Sequence, residues 1–301
     1  MTKQKLKKIL LGKELSDGVI FKAIVYVLLI AIGFVYLYPI LYMISYSFKS
    51  PTDIIDPMLN WIPRRLYFDN YLRSAKVLNY FPTLGMSLLV TLLPAILQTA
   101  VTSLIGYGFA KYNFRGKKIW LMLVLSTFIV PVQVYMIPRY VMFNKFGLLD
   151  SPFSVILPAL FAQGVNSAIF ILVFYQFFRM IPHSFNEAAE LDGAGPYQIF
   201  FRIAVPLAAP AYITCFLFGF VWYWNETYLL SLFLPGYPHL QLKLASFVSA
   251  YSSLYSEDII KLNEGIRLSA TLLIIIPMLI VYLIMQRWFV EGVEKTGITG
   301  E

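Results

Sequence analysis

Between Ser184 and Pro196 the chain gathers Glu187, Glu190 and Asp192 among Ala188, Ala189, Gly193 and Ala194. Ser184 followed three positions later by Glu187 is the pattern of a reciprocal N-terminal cap. Hydroxyl and carboxylate would each satisfy one orphan backbone N–H, so a helix is expected to begin at Phe185. Ala188, Ala189, Glu190 and Leu191 favour its continuation. Gly193 suits the left-handed residue that closes a helix. Pro196 suits the first turn of a second helix, which cannot run undisturbed through Pro206. The expected product is a short helix, a tight turn and another helix. Ala188 and Ala189 leave room for close approach of a partner, and Glu187 and Asp192 offer acceptors to a cationic one. This is the chemistry of recognition rather than of bond making.

A second polar group is scattered through apolar sequence: Gln98, Gln133, Gln163, Asn166, Asn225 and Glu226, with Trp222, Tyr223, Trp224 and Tyr228 around the last pair. Polar side chains in hydrocarbon usually face a cavity or a partner helix. Aromatic faces beside amide and carboxyl groups suit a sugar, whose C–H face stacks on rings while its hydroxyls meet acceptors. Trp and Tyr are also enriched at membrane interfaces for amphipathic reasons alone. Gln98, Gln133, Asn166, Trp224, Asn225 and Glu226 are therefore the candidate substrate-path residues. Arg64, Arg65, Arg73 and Lys76 suit either an anionic solute, such as a uronate oligosaccharide or a phosphate ester, or a docking face for an external protein. No catalytic residue is expected. G-x-x-x-x-G-K-[ST] is absent, so ATP should not be held here as a P-loop protein holds it. Nor is there an H-E-x-x-H, a G-x-S-x-G or a carboxylate pair within an apolar run. Cys215 stands alone, and His183 and His239 are far apart, so neither a disulfide framework nor a metal site is expected.

These residues sit in a chain of 301 residues that is 59% hydrophobic and 13% charged, against about 25% charged in soluble domains. That is too little polar surface for a soluble enzyme, a nucleic-acid-binding module or a disordered regulator. The net charge of +8 then reads as positive-inside topology and contact with anionic lipid rather than as a nucleic-acid footprint. Apolar stretches of about 20 residues, enough to cross about 30 Å of hydrocarbon, lie near Phe21–Ser45, Thr83–Ala110, Ile119–Ile137, Phe153–Phe178, Leu207–Leu234 and Leu268–Trp288. Their internal prolines Pro39, Pro94, Pro131, Pro158 and Pro277 imply kinks. Lys3, Lys5, Lys7, Lys8 and Lys13 precede the first stretch, and Lys111, Arg115, Lys117 and Lys118 join the second to the third, which puts both groups in the cytoplasm. The expected architecture is an all-α membrane protein with six transmembrane helices and both termini cytoplasmic. Residues 1–20 form a basic tail, amphipathic from Leu6 to Leu11. The first apolar run is too long and lacks a small-residue cleavage site, so it reads as a retained anchor. Residues 21–288 form the spanning domain, with 179–206 as a cytoplasmic loop, and 289–301 a C-terminal tail.

The run Glu187-Ala188-Ala189-x-x-Asp192-Gly193-Ala194, with Ile203-x-Val205-Pro206 and Pro210, resembles the EAA loop of the membrane subunits of ATP-binding-cassette importers. It departs from that pattern at Val205, where leucine is usual. Ile105 to Gly116, Ile129-Val-Pro-Val-Gln133, Ile137-Pro138, Gly147-Leu-Leu149, Trp224-Asn225-Glu226 and the tail from Phe289 to Gly300 are similar to the maltose-type sugar permeases. The resemblance covers nearly the whole chain. It implies a type I importer permease in a bacterial cell membrane, half of a heterodimer with a second homologous permease. Two copies of a cytosolic ATPase, holding ATP and Mg, would drive it, and an extracytoplasmic solute-binding protein would deliver a sugar or oligosaccharide. It further implies that Glu187, Ala188, Ala189, Asp192, Gly193 and Ala194 couple to the ATPase, and that the tail around Gly297 and Gly300 reaches toward it. An ion-coupled secondary transporter would need a titratable group in the membrane, for which Glu226 is the candidate. An integral-membrane enzyme would need a catalytic constellation, and none is visible.

Overall fold

The computed structural model describes residues 18–257 and 260–298, with side-chain surroundings up to residue 288. The expected amphipathic tail falls almost wholly outside the described residues, as does Gly300. Among the described residues the chain is helical, with no strand. The helices are α1 (Val19–Ser47), α2 (Pro51–Ile55), α3 (Asp69–Leu78), α4 (Tyr80–Lys111), α5 (Lys117–Ile129), α6 (Val132–Lys145), α7 (Phe153–Leu160), α8 (Ser167–Met180), α9 (His183–Leu191), α10 (Pro196–Leu207), α11 (Ala209–Asn225), α12 (Tyr228–Phe233), α13 (Leu240–Ala245), α14 (Phe247–Leu254) and α15 (Glu264–Ile298).

Three helices are long and apolar enough to cross a membrane unaided: α1 with 29 residues, α4 with 32, and the Glu264–Trp288 stretch of α15 with 25. At about 1.5 Å per residue each exceeds a hydrocarbon core of about 30 Å. Pro39, Pro94 and Pro277 lie inside these three helices without ending them.

The other expected spans are not continuous. α5 and α6 meet at 95°, α8 and α9 at 71°, and α10 and α11 at 76°; counting each bent pair as one crossing gives up to six. The breaks at α5–α6, α7–α8 and α10–α11 have local causes. Pro131 cannot donate to the helical ladder and excludes its predecessor from helical geometry, and Val130 is extended at ψ 117°. Between α7 and α8, Ala162 and Asn166 both take positive φ of 54°, and a left-handed residue ends a right-handed helix. α8 alone has 14 residues, about 21 Å, so it needs a further segment to reach across. Pro210 in the first turn of α11 suits a fresh start after Ala208.

The chain divides into two compact units, one of residues 18–74 with 255–272 and one of residues 75–254 with 273–298. In the first, Lys49 is fully buried. Its ammonium donates to Leu59 O at 2.6 Å and Asn60 O at 2.9 Å and lies 3.6 Å from the Tyr46 ring centroid. Asn70 Nδ2 donates to Ser47 O and Lys49 O, and Tyr42 OH donates to Glu264 Oε1 at 2.9 Å. Two of the loop cations have carboxylates of their own: Arg64 pairs with Asp56 at 2.5 Å and Arg73 with Asp69 at 2.6 Å.

The second unit is organised on α4, which packs against α7, α8 and α11. Gly106 allows the closest approach: a Cβ there would stand 2.6 Å from Phe174 Cβ and 2.9 Å from Tyr175 N on α8. Tyr107, Phe170, Phe174, Phe178, Phe200 and Cys215 form the core beside that contact.

Candidate functional site

The Ser184–Pro196 segment folds as a short helix, a turn and a second helix, with one correction at its start. α9 begins at His183, two residues before the position the Ser184–Glu187 pairing implies, and no side chain caps it. Pro182, with φ −55° and ψ 141°, has the fixed φ that delivers the chain in an extended entry, and its carbonyl receives Phe185 N–H. Ser184 is thereby drawn into the first turn. Glu187 is free of the expected capping role; its Oε1 lies 4.0 Å from His183 Nδ1, with both side chains about 70% exposed, a pair worth little in water.

The C-terminal end of α9 closes as expected. Gly193 has φ +82°, Gly193 N–H donates to Glu190 O at 3.0 Å and Ala194 N–H to Ala189 O at 2.9 Å. These two bonds define a Schellman cap, which satisfies the carbonyls that a helix end orphans. Gln198 Oε1 accepts from Gly195 N–H at 2.9 Å at the start of α10. The expected disturbance before Pro206 is a π-helical stretch at Phe200–Ala204. Widening the helix there accommodates the proline ring and the missing donor.

This hairpin rests on an aromatic plate. Tyr107 of α4 lies 5.2 Å from Phe178 of α8 and 4.9 Å from Phe200 of α10, centroid to centroid. Lys111 Nζ donates to Ile181 O at 2.8 Å, at the joint between α8 and α9. Asn186 and Ala189 face inward. Glu187, Ala188, Asp192 and Gly193 are exposed and Ala194 is half-buried, while Leu191 and Tyr197 are 89% and 78% exposed. The outer face therefore combines carboxylates with two large apolar side chains. Gly297 lies near the end of α15, where only the backbone is described.

The break between α7 and α8 is bracketed by two side chains. Gln98 Nε2 donates to Val165 O at 2.7 Å, Val165 N–H donates to Tyr223 OH at 3.2 Å, and Tyr223 OH donates to Gln98 Oε1 at 2.5 Å. The triangle returns to Val165 both backbone hydrogen bonds that leaving the helix removed. Gly164 is required beside it, since a Cβ there would collide with Tyr223 OH and Gln98 Oε1.

In front of that break is a cavity of about 870 Å³. One wall is the α5–α6 joint, with Thr127, Phe128, Pro131, Tyr135 and Arg139, and another the α7–α8 joint, with Phe161, Gln163, Gly164 and Asn166. Of the sequence-derived path candidates only Asn166 lines it, together with Gln163. Gln98 stands behind the wall, fully buried and engaged at both ends of its amide. Trp224 is 1% exposed, stacked on Phe220 and tilted against His239. Asn225 Nδ2 donates to Val221 O of its own helix, and Glu226 Oε1 accepts from Leu229 N–H at the start of α12. Gln133 is exposed on α6 and does not line the cavity. The sequence pattern did not single out Arg139 and Tyr135; an arginine inside the apolar run from Val134 to Phe143 was the available signal. Among the described residues no His, Cys, Asp and Glu cluster suited to a metal ion occurs.

The profile of the family described as "binding-protein-dependent transport system inner membrane component" matches residues 23–295. The arabinooligosaccharides transport system permease protein AraQ of Bacillus subtilis is 29% identical over 89% of this chain and 92% of its own length. The diacetylchitobiose uptake system permease protein NgcG of Streptomyces coelicolor is 30% identical over 91% of this chain and 88% of its own. Among solved structures, a chain of a bacterial ABC transporter involved in import of the acidic polysaccharide alginate superposes with a TM-score of 0.72. It is 24% identical, over 90% of this chain and 96% of that one.

Proposed function

Since the chain belongs to the binding-protein-dependent transport system inner membrane component family, we propose that it is the membrane-spanning permease of an ATP-driven importer of a sugar or oligosaccharide. AraQ and NgcG, named for oligosaccharide cargoes, support that class of cargo. The chain forms half of the translocation pathway and pairs with a second, homologous permease. It does no covalent chemistry. Two copies of a separate ATPase hold ATP and Mg, and an extracytoplasmic binding protein delivers the solute. Residues 179–206 and both termini face the cytoplasm, and residues 21–288 form the spanning domain.

The observation that carries the coupling role is the exposed hairpin α9–α10. Its Schellman cap and aromatic plate hold Glu187, Leu191 and Tyr197 outward on a rigid base. An acidic and apolar face of that kind suits a groove in a cytosolic partner with a basic residue at its rim. Glu187 takes the basic partner, and Ala188 and Gly193 permit the close approach. Motion of the ATPase pair is passed from α9 through Phe200 and Phe178 to α4 and α8, which swings the spans between inward- and outward-open arrangements. The tail around Gly297 and Gly300 extends toward the same ATPase.

The test is purification of the tagged chain from its host in mild detergent, with mass spectrometry of what stays bound. A P-loop ATPase and a second multi-span protein are expected with the wild type. Gly193→Asp is expected to insert normally, lose the ATPase and abolish uptake. Uptake at the wild-type rate by Gly193→Asp, or a wild-type chain that purifies alone across several detergents, would overturn the reading.

A further inference from the structure

Among the described residues Arg139 has no anion. Its guanidinium faces the rings of Phe143 and Phe233, 5.3 and 5.8 Å from their centroids, and no hydrogen bond or ion pair to it occurs among the described residues. The contrast within the chain is direct, since Arg64 and Arg73 each hold an aspartate. Aromatic faces offset only part of what a half-buried guanidinium loses in leaving water. An arginine held this way at a cavity wall is a site prepared for a negative charge that arrives from outside the chain.

The rest of the wall says what carries that charge. Gln163 and Asn166 bring amides, Thr127 and Tyr135 hydroxyls, and Phe161 a ring, and none of the lining residues is acidic. A bare inorganic anion has no use for the rings and would leave most of about 870 Å³ empty. The acyl chain of a lipid has no use for the amides. A ring with hydroxyls and one carboxylate uses all of them: its C–H face on an aromatic side chain, its hydroxyls on the amides, and its carboxylate on the planar fork of Arg139, which matches that geometry with two parallel bonds.

We infer that this cavity is a binding site on the chain itself for an acidic oligosaccharide of the uronic acid class, with Arg139 as its carboxylate-recognising and specificity-determining residue. The inference rests on the importer reading above and narrows its cargo from sugars in general to glycans bearing a carboxylate.

The test uses the complete importer in nanodiscs of neutral phosphatidylcholine. Binding of tri-galacturonate and tri-mannuronate is compared with that of neutral galactotriose. At least one uronate trimer is expected to bind tenfold or more tightly than the neutral one. Arg139→Gln should remove that preference, bringing the ratio of uronate to galactotriose affinity to about one. Arg139→Lys should retain part of it, because a point charge replaces the fork. Where Arg139→Gln fails to fold, Arg139→Lys and Asn166→Gly carry the test. Asn166→Gly keeps the left-handed backbone and deletes the amide, so it should weaken charged and neutral trimers alike. Equal affinity of the wild type for charged and neutral trimers, a preference that survives Arg139→Gln, or no glycan binding overturns the inference. Displacement of the uronate trimer by glucose 6-phosphate at equal concentration overturns the carboxylate assignment. Arg139-dependent retention of phosphatidylglycerol without glycan binding assigns the charge to a lipid headgroup instead. Failure of the importer reading is seen separately, as absence of ATP hydrolysis by the purified assembly before any glycan is added.

Discussion

Two glycines two residues apart on α4 make opposite predictions. An alanine at Gly106 would bring its Cβ to 2.6 Å from Phe174 Cβ, 2.9 Å from Tyr175 N and 3.1 Å from Ile171 O. Carbon atoms in contact sit about 3.5–4.0 Å apart, so α4 and α8 must separate by about 1 Å. None of the three atoms can swing aside, since two are backbone and the third is the first side-chain carbon. Overpacking of this kind costs about 1–3 kcal/mol. Gly108, on the same helix, has nothing within 4 Å of its would-be Cβ, and alanine there gains about 0.8–1.0 kcal/mol of helix propensity. The two variants should therefore differ by about 2–4 kcal/mol in opposite directions. At roughly 2–4 °C per kcal/mol for chains of this order of size, the melting temperatures should separate by roughly 4–16 °C. Cys215 supplies the assay: it is the chain's single cysteine, it is 1% exposed, and it belongs to the same core. A thiol-reactive dye that fluoresces on coupling will report when that core opens during heating. Gly106→Ala melting at or above the wild type, or both variants shifting together, would refute the close approach of α4 to α8.

Four further outcomes follow. Gly193→Asn should leave the hairpin folded and Gly193→Val should disrupt it, because asparagine tolerates φ +82° and a β-branched residue does not; the yield of folded protein after detergent extraction decides it. Gln98→Leu and Tyr223→Phe should each destabilise by about 1–3 kcal/mol by orphaning Val165, and the double variant should lose less than the sum, as thiol-dye melts of the three will show. Gly164→Ala should be poorly tolerated at the same joint, with reduced yield of folded protein after detergent extraction. His239, buried at the start of α13 with its Nδ1 accepting from Gln241 N–H, has its pKa lowered by burial to about 4. The unfolded chain then binds a proton the folded one refuses, so stability present above the ordinary value of 6.5 is lost as pH falls toward 4. His239→Asn, which keeps a cap acceptor, should flatten that acid limb of the melting-temperature profile.

Elements governed by local rules were legible in the residues, and those governed by tertiary partners were not. Gly193 and Pro206 announced the turn and the disturbed helix because left-handed φ and a missing donor are properties of a residue. The start of α9 was misjudged because two local signals competed. Ser184 with Glu187 offered a cap, but Pro182, two residues earlier, fixed the entry first. The three continuous spans follow from length and apolarity alone. Of the broken ones, Pro131 announced the 95° bend at Val130–Pro131, whereas the break at Ala162–Asn166 carried no such signal, because an apolar run reads the same whether it crosses straight or leaves the helix. Trp224 shows the same limit: an aromatic in a polar neighbourhood of the sequence is a core residue in space.

Gln98 and Arg139 show how the two kinds of intramembrane polar residue are told apart. Both belong to types that apolar surroundings penalise, so both call for an explanation. A break in a spanning helix takes backbone N–H and C=O groups out of their ladder where no water replaces them, and some side chain must supply the bonds. Gln98 does so, with its donor on Val165 O and its acceptor on Tyr223 OH. Its presence is explained by the bend and says nothing of a solute. Arg139 stands on the other side of the same joint with rings against it and no acceptor, so the fold supplies a reason for its position and none for its charge. The difference lies in hydrogen-bonding capacity left unmet by the chain, which residue type and spacing do not encode. The joint that requires Gln98 also forms one wall of the cavity that Arg139 lines, and the left-handed residues Ala162 and Asn166 belong to both the bracketed break and that wall.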